Sequence, residues 1–313
     1  MKKAFLVHCL SPLHPGTGQA LDLIDLPIAR YKATRIPFLP GSSIKGVARD
    51  ARTPDLPRSA TLDAAWSTFI AAFGPDVEKD DASEHAGAVS FGDARLLLMP
   101  VRSLRGTFAY VTSPLLLRLA HQDFQDAGLP SVPPIPDVPA PDRDGPAAQV
   151  PRALVPQLQD SVLVHRPAAA ADVRPRLFLE DLDFVAAEHV ATSLWAEWLG
   201  LRLFPERQDD LKRRFVVVDD EAMTFIWETA TQVDAHNRIN DRGTVADGQL
   251  WYQESLPPET VLLGLATATE SLRQGLSATR AVMLATALKN EDVLQFGGKA
   301  NTGNGRARLL AIA

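Results

Sequence analysis

Lys3 to Leu10 is an apolar run rich in branched and aromatic residues, the pattern of a strand central in a sheet, and it stops at Ser11-Pro12. Leu13-His14-Pro15-Gly16-Thr17-Gly18 has turn chemistry, and Leu21 to Ile28 follows as a short extended piece, apolar except for Asp22 and Asp25 and ended by Pro27. A second extended strip from Ile36 turns helical at Ser42 or Ser43, either one a good N-cap, and the helix runs on past Arg49; amides at its start would face outward as an anion site. The pattern further predicts helices over Ala64 to Phe73, Pro114 to Gln125, Glu188 to Leu203 and Ser277 to Leu288, with Pro114 acceptable in a first turn. Strands are predicted over Ala88 to Met99, Val101 to Thr112, Arg176 to Phe184, Arg214 to Asp219 and Met223 to Gln232. Thr229 to Arg238 and Gln249 to Glu254, on either side of a turn-rich Ile239 to Gly248, suggest a hairpin. Strands and helices mix in an α+β manner.

Leu129 to Pro156 interrupts this pattern with nine of the chain's 24 prolines and few large apolar residues, so it is predicted to be an insertion without secondary structure. The 313 residues, 46% hydrophobic and 22% charged, suffice for one large or two modest domains. No apolar run approaches the roughly 18 residues that cross a bilayer, and the single cysteine, Cys9, allows no internal disulfide and no cysteine-rich zinc cage. The expectation is a cytoplasmic protein with no membrane partner. A formal charge of −6 argues against coating nucleic acid by bulk charge, yet Ala29 to Arg52 holds six basic residues against one acid. Charge thus permits an RNA or DNA partner at a locally basic face without demanding one.

Four groups of residues suggest chemistry. Gly297-Gly298-Lys299 and Gly303-Asn304-Gly305-Arg306 combine close backbone approach with cations, which suits a phosphate chain or, more plainly, a glycine-rich turn closing the last strand. Asp25 is either a turn residue before Leu26-Pro27 or a carboxylate set beside a nucleic-acid backbone, able to hold a divalent ion or assist a ribose hydroxyl. Lys45 and Arg49, four apart on one helix face, would grip adjacent phosphates or simply be solvated. Phe108 and Tyr110, or Trp251 and Tyr252, would stack on bases or sit in the core. His14 is a further acid/base candidate in a turn where packing is the commoner role. The chain lacks a Gly-x-Ser-x-Gly elbow, a Walker pattern and an H-E-x-x-H helix.

Taken in order, Leu13 to Gly18, Ile24-Asp25-Leu26-Pro27-Ile28-Ala29-Arg30 and Phe38-Leu39-Pro40-Gly41-Ser42-Ser43-Ile44-Lys45-Gly46-Val47-Ala48-Arg49 resemble the RAMP superfamily of CRISPR-associated proteins. Gly87 to Gly106 and Leu250 to Pro257 narrow the resemblance to backbone subunits of type III-B (Cmr) effector complexes, and Gln295 to Gly305 agrees. The resemblance implies one RAMP domain over residues 1–313: an RRM-like, ferredoxin-like palm from the N- and C-terminal parts, an insertion at 129–156, and a protruding β-hairpin thumb at roughly 176–242. It implies copies stacked as a helical filament with other Cmr subunits on a guide CRISPR RNA, with single-stranded target RNA cut at regular intervals by metal-dependent attack of a 2′-hydroxyl. Asp25 matches the cleaving residue and would hold Mg²⁺ or another divalent cation loosely. Ser43, Lys45 and Arg49 fall in the helix against guide phosphates, with Gly297, Gly298, Lys299, Gly303 and Arg306 in the loop beside it and His14 and Arg30 in support. The alternative is a purely structural guide-binding subunit in which Asp25 caps a turn.

Overall fold

A computed structural model describes residues 1–16, 24–55, 64–75, 85–141, 150–166, 174–239, 245–297 and 299–312. In chain order its elements are β1 (Lys2–Cys9), β2 (Phe38–Leu39), α1 (Gly41–Arg52), α2 (Ala64–Phe73), β3 (Val89–Phe91), β4 (Ala94–Arg102), β5 (Phe108–Thr112), α3 (Pro114–Asp126) and β6 (Arg152–Val155). There follow β7 (Arg176–Leu179), β8 (Leu182–Glu188), α4 (Val190–Leu203), α5 (Gln208–Lys212), β9 (Phe215–Val218), α6 (Asp220–Thr229), β10 (Gln232–Ile239), β11 (Val245–Ser255), β12 (Val261–Ala268), α7 (Arg280–Ala287), β13 (Glu291–Gln295) and β14 (Arg306–Ala311).

The heart of the sheet is β14-β1-β12-β4, antiparallel throughout, with Leu6 paired to Leu263 on one side and Leu310 on the other. Two β-α-β units, β1 to β4 through α1 and α2 and β12 to β14 through α7, interlock to make this order, which is the ferredoxin-like arrangement. Because β1 is buried on both faces, it reads as a nearly continuous apolar run instead of an alternation. Phe5, Val7 and Cys9 join Ile44, Ala48, Phe69 and Met283 in a core under α1, α2 and α7. Ala4 and Leu6 point the other way, into an aromatic core with Phe124, Trp195 and Trp198 under α3 and α4. Beyond β4 the sheet continues as β5-β9-β6-β8-β7. Strands β10 and β11 stand apart as a two-stranded antiparallel ribbon, Gln232 opposite Ser255.

Several segments differ from the sequence expectation, each for a physical reason. Met223 to Gln232 is read as a strand from its aromatic and branched residues, but the chain forms α6, whose N-terminus Asp219 caps by accepting the Ala222 N–H at 2.8 Å. Met223, Ile226 and Trp227 are its buried positions, so helical spacing with a strong cap overrides β propensity. In the proline-rich stretch, Arg152–Val155 is a sheet strand, parallel to β8 and antiparallel to β9. Val132, Ile135 and Val138 pack on the aromatic core, and Trp195 Nε1 donates to the Pro134 carbonyl at 2.9 Å. Ala88 to Met99 divides into β3 and β4 at Gly92-Asp93, and Arg176 to Phe184 splits into β7 and β8 at a turn where Glu180 adopts φ 48°.

Trp195→Phe keeps an aromatic filler but deletes the tie to Pro134. It should cost about 1 kcal/mol of unfolding free energy in a denaturant titration, with early protease cleavage appearing in 129–141.

Candidate nucleic-acid interface

The segment 24–30 is extended because Pro27 and its flanking apolar residues cannot continue the preceding turn as helix, and it finds its hydrogen-bond partners on β11. Leu26 N–H donates to the Tyr252 carbonyl at 3.1 Å and Glu254 N–H donates to the Leu26 carbonyl at 3.0 Å. Between them the Tyr252 N–H donates to Asp25 Oδ2 at 2.8 Å. The Asp25 side chain is exposed, and its other oxygen has no protein partner among the described residues.

Beneath this strip lies a buried ion pair. Arg30 Nη2 donates to Glu254 Oε1 at 2.5 Å, with the two side chains only 6% and 5% exposed. Glu254 Oε2 accepts the Ile28 N–H at 3.0 Å, and Arg30 Nη1 donates to the Trp227 carbonyl at 2.9 Å. The carboxylate is thus satisfied on both oxygens and the guanidinium is tied to a second element, the condition under which a buried pair holds. His14 Nδ1 lies 2.6 Å from the Glu254 carbonyl, an acceptor, so Nδ1 carries a proton and Nε2 faces Gly16. A Cβ at residue 16 would fall 2.6 Å from that Nε2, so Gly16 keeps the ring in place.

The glycine-rich loop is stitched to the same turn. Leu10 and Ser11 N–H groups donate to the Arg306 carbonyl, Gly305 N–H donates to the Pro12 carbonyl at 2.7 Å, and Arg306 N–H donates to Ser11 Oγ at 2.9 Å. Gly305 has φ 87°, and a Cβ there would lie 1.9 Å from the Phe296 carbonyl oxygen, so no other residue fits. Gly297 and Gly303 also take positive φ, Lys299 precedes a short 3₁₀ turn, and Arg306 is exposed; Gly298 lies outside the described residues.

On α1 the expected serine cap is corrected: the helix starts at Gly41 after Pro40, and no side chain of its own caps it. Instead Asp93 Oδ1, from the turn between β3 and β4, accepts the Gly41 N–H at 2.9 Å, so a carboxylate already occupies part of the expected anion site. A Cβ on residue 41 would strike the Phe91 carbonyl at 2.2 Å, which forces glycine at the start and moves the cap to a tertiary partner. Ser43 is exposed on the first turn. Lys45 and Arg49 do share a face: burial, then the neighbouring Arg49 charge, lowers the Lys45 ammonium below the ordinary lysine range. The Arg49 guanidinium lies 5.6 Å from the Phe69 ring centroid, and Arg52 pairs with Asp292 of β13.

The structure therefore gathers Asp25, His14 and Arg30 around β11, stitches Gly297 to Arg306 onto the His14 turn, and sets Ser43, Lys45 and Arg49 on α1. Glu254 and Asp93 escape sequence reading. The signal available for Glu254 is an acid inside a strand-like run matched by one base, Arg30, in an apolar strip; that for Asp93 is a charge set among the apolar neighbours of Ala88 to Met99.

The palm that carries these side chains is that of the ferredoxin-like proteins. Comparison with known proteins gives the particular family. A model of the RAMP superfamily matches residues 6–308. The chain is 31% identical over 312 residues to the CRISPR system Cmr endoribonuclease Cmr4 of Pyrococcus furiosus, covering 98% of this chain and 95% of that protein. Oligomeric Cmr4 from the same organism superposes with a TM-score of 0.68 at 23% identity, over 100% of this chain and 98% of that one. A chain of a type III-B Cmr-beta complex bound to cognate target RNA superposes with a TM-score of 0.69 at 17% identity, over 99% and 97%. The chain belongs to the RAMP superfamily and, within it, to the Cmr4 family.

Glu254→Ala strands the Arg30 charge in the interior and should lower unfolding free energy by about 3–5 kcal/mol in a denaturant titration. Adding Arg30→Met to it should recover part of that loss.

Proposed function

We propose that the chain is the backbone subunit of a type III-B Cmr complex: it binds guide RNA, stacks with further copies of itself and other Cmr subunits, and cleaves complementary target RNA as an endoribonuclease. Its similarity to the Cmr endoribonuclease supports the activity, and the observation that carries the site assignment is Asp25, an exposed carboxylate pinned at one oxygen by the Tyr252 N–H. In this reading the ribbon β10–β11 is the thumb and separates the paired RNA strands beside Asp25; β10 lies within the expected range 176–242 and β11 beyond it, while 176–229 forms β7 to β9 of the main sheet with α4 to α6. Ser43, Lys45 and Arg49 hold guide phosphates, and the loop with Gly297, Gly298, Lys299, Gly303 and Arg306 follows the backbone next to them. The buried thiol of Cys9, free and pushed up by burial, suits a reducing cytoplasm, and no described helix is long and apolar enough to cross a membrane.

The chemistry asks little of the protein. A nucleotide splayed out of the duplex aligns its 2′-hydroxyl with the adjacent phosphate. The 2′-O–P bond forms as the P–O5′ bond breaks, leaving a 2′,3′-cyclic phosphate and a 5′-hydroxyl. Asp25 stands to accept the 2′-hydroxyl proton, and the leaving oxygen takes one from water. Among the described residues no three His, Cys, Asp or Glu side chains gather as a metal cage, so the free Asp25 oxygen fits only a water-rich divalent ion such as Mg²⁺. When bound, that ion supplies positive charge beside the reacting phosphate. His14, spent on the Glu254 carbonyl, and Arg30, spent on the ion pair, position the strip that carries Asp25.

In a reconstituted guide-loaded complex, Asp25→Asn keeps an acceptor for the Tyr252 N–H yet removes the charge. It should abolish the regular cleavage ladder on an end-labelled complementary RNA while leaving target binding intact, and a chelator should do the same; a ladder that survives Asp25→Asn leaves the chain a scaffold. Lys45→Ala and Arg49→Ala should each weaken guide binding and reduce the slope of log affinity against log salt by about 0.7, measured by filter binding across a salt series.

A further inference from the structure

We propose that a cleft on the α3–α4 side of the palm is a second binding site, for a nucleoside phosphate whose base lies against Phe108, Tyr110 and Phe204 and whose phosphate meets Arg207 and Arg214. The cleft has a volume of about 290 Å³, near the lower end for small-ligand sites, and those five residues line it together with Glu259 and Asp210. It lies at the margin of the aromatic core that α3 and α4 cover, whereas Lys45 and Arg49 ride on α1 over the other core.

Its walls have the chemistry of base recognition. Phe108 and Tyr110 meet edge to face with centroids 5.0 Å apart, and Tyr110 lies 6.1 Å from Phe204, so three rings form one apolar wall. Each guanidinium rides on a ring, Arg214 at 5.6 Å from the Phe108 centroid and Arg207 at 5.8 Å from Phe204. Neither cation is used up by the fold. Arg214 makes no ion pair among the described residues, although its unpartnered Nε is itself buried, and Arg207, 70% exposed, pairs loosely with Asp210 at 3.6 Å. Two guanidiniums beside this aromatic wall suit an anion carried on a planar group.

Glu259 supplies the discriminating group. It holds φ 73°, a strained region for a residue with a side chain, in the loop joining β11 to β12. Its Oε2 accepts from Tyr110 Oη at 2.6 Å and from His8 Nε2 at 2.9 Å, while Oε1 has no protein partner among the described residues. Burial works to raise this carboxyl, but the His8 and Tyr110 hydrogen bonds and nearby charges outweigh it and hold the group below the ordinary range, so it remains an acceptor. A fixed carboxylate oxygen accepts from a base edge with donors; guanine places N1–H and N2–H side by side, and uracil offers a single N–H flanked by acceptors.

Isothermal titration of the full-length chain with GMP, UMP, guanosine and inorganic phosphate tests the assignment. GMP should bind saturably at one site, with the other three weaker by about tenfold or more. Arg207→Glu, at a position exposed enough not to disturb folding, and Phe108→Leu should each weaken GMP by about tenfold, whereas Lys45→Ala should not change it. The dinucleotide pGpU separates the two sources: tighter binding than GMP points to an RNA end, weaker binding to a free nucleotide. No saturable binding at millimolar GMP, equal binding of phosphate alone, or Arg207→Glu and Phe108→Leu chains that bind GMP as the unaltered chain does would overturn the proposal.

Discussion

The buried Arg30–Glu254 pair is the interaction on which the arrangement of the candidate site rests. It joins a loop near the N-terminus to the last part of the ribbon, and through the Trp227 carbonyl it also fixes α6. An ion pair out of water contributes little net stability against an apolar pair of the same shape, but it is sharply directional and costly to break. Here that directionality has a use. One carboxylate orders Ile28 with one oxygen and Arg30 with the other, while the backbone of the same residue receives His14 and donates to Leu26. The segment carrying Asp25 is left one register relative to β11, and its carboxylate meets the Tyr252 N–H as a consequence.

A site held this way does not need a crowded catalytic centre. Where an RNA supplies its own nucleophile, the demand on the protein is placement, and placement is what short backbone pairings to a rigid sheet provide. The same economy appears in the glycine-rich loop, whose Gly305 closes onto the Phe296 carbonyl and whose Arg306 backbone is shared with Ser11. Two segments nearly the whole chain apart are thereby brought to one end of β1 and β14. A net negative chain can then present cations where they matter, on α1 and in the loop, with the acidic excess elsewhere.

How much was legible in the sequence followed from how local each determinant is. The helix at Ala64–Phe73 and the start of α3 at Pro114 were read directly, because apolar spacing and a helix-start proline act within a few residues. The palm was legible through family resemblance, and the strand order agrees with it. In contrast, α6 is hidden because Phe225, Ile226 and Trp227 favour strands singly while the burial spacing of Met223, Ile226 and Trp227 is helical. The α1 cap is not legible locally because its carboxylate is Asp93, 52 residues away. The proline-rich stretch hid a strand, since sheet pairing with β8 and β9 decides it, not composition. At the site, Asp25 could be singled out by type and position, but its partner on β11 is 227 residues distant, and Glu254 shows its role only once Arg30 is beside it.

The proposed chemistry has a target nucleotide's own 2′-hydroxyl attack its neighbouring phosphate beside Asp25. It is tested most directly by presenting the guide-loaded complex with a complementary RNA carrying a single 2′-deoxy nucleotide on the 5′ side of one cleavage position, and by analysing the product ends. That one cut should disappear, while the others persist and leave 2′,3′-cyclic phosphates. A cut that survives the 2′-deoxy substitution, with 3′-hydroxyl or 3′-phosphate ends formed directly, would contradict it.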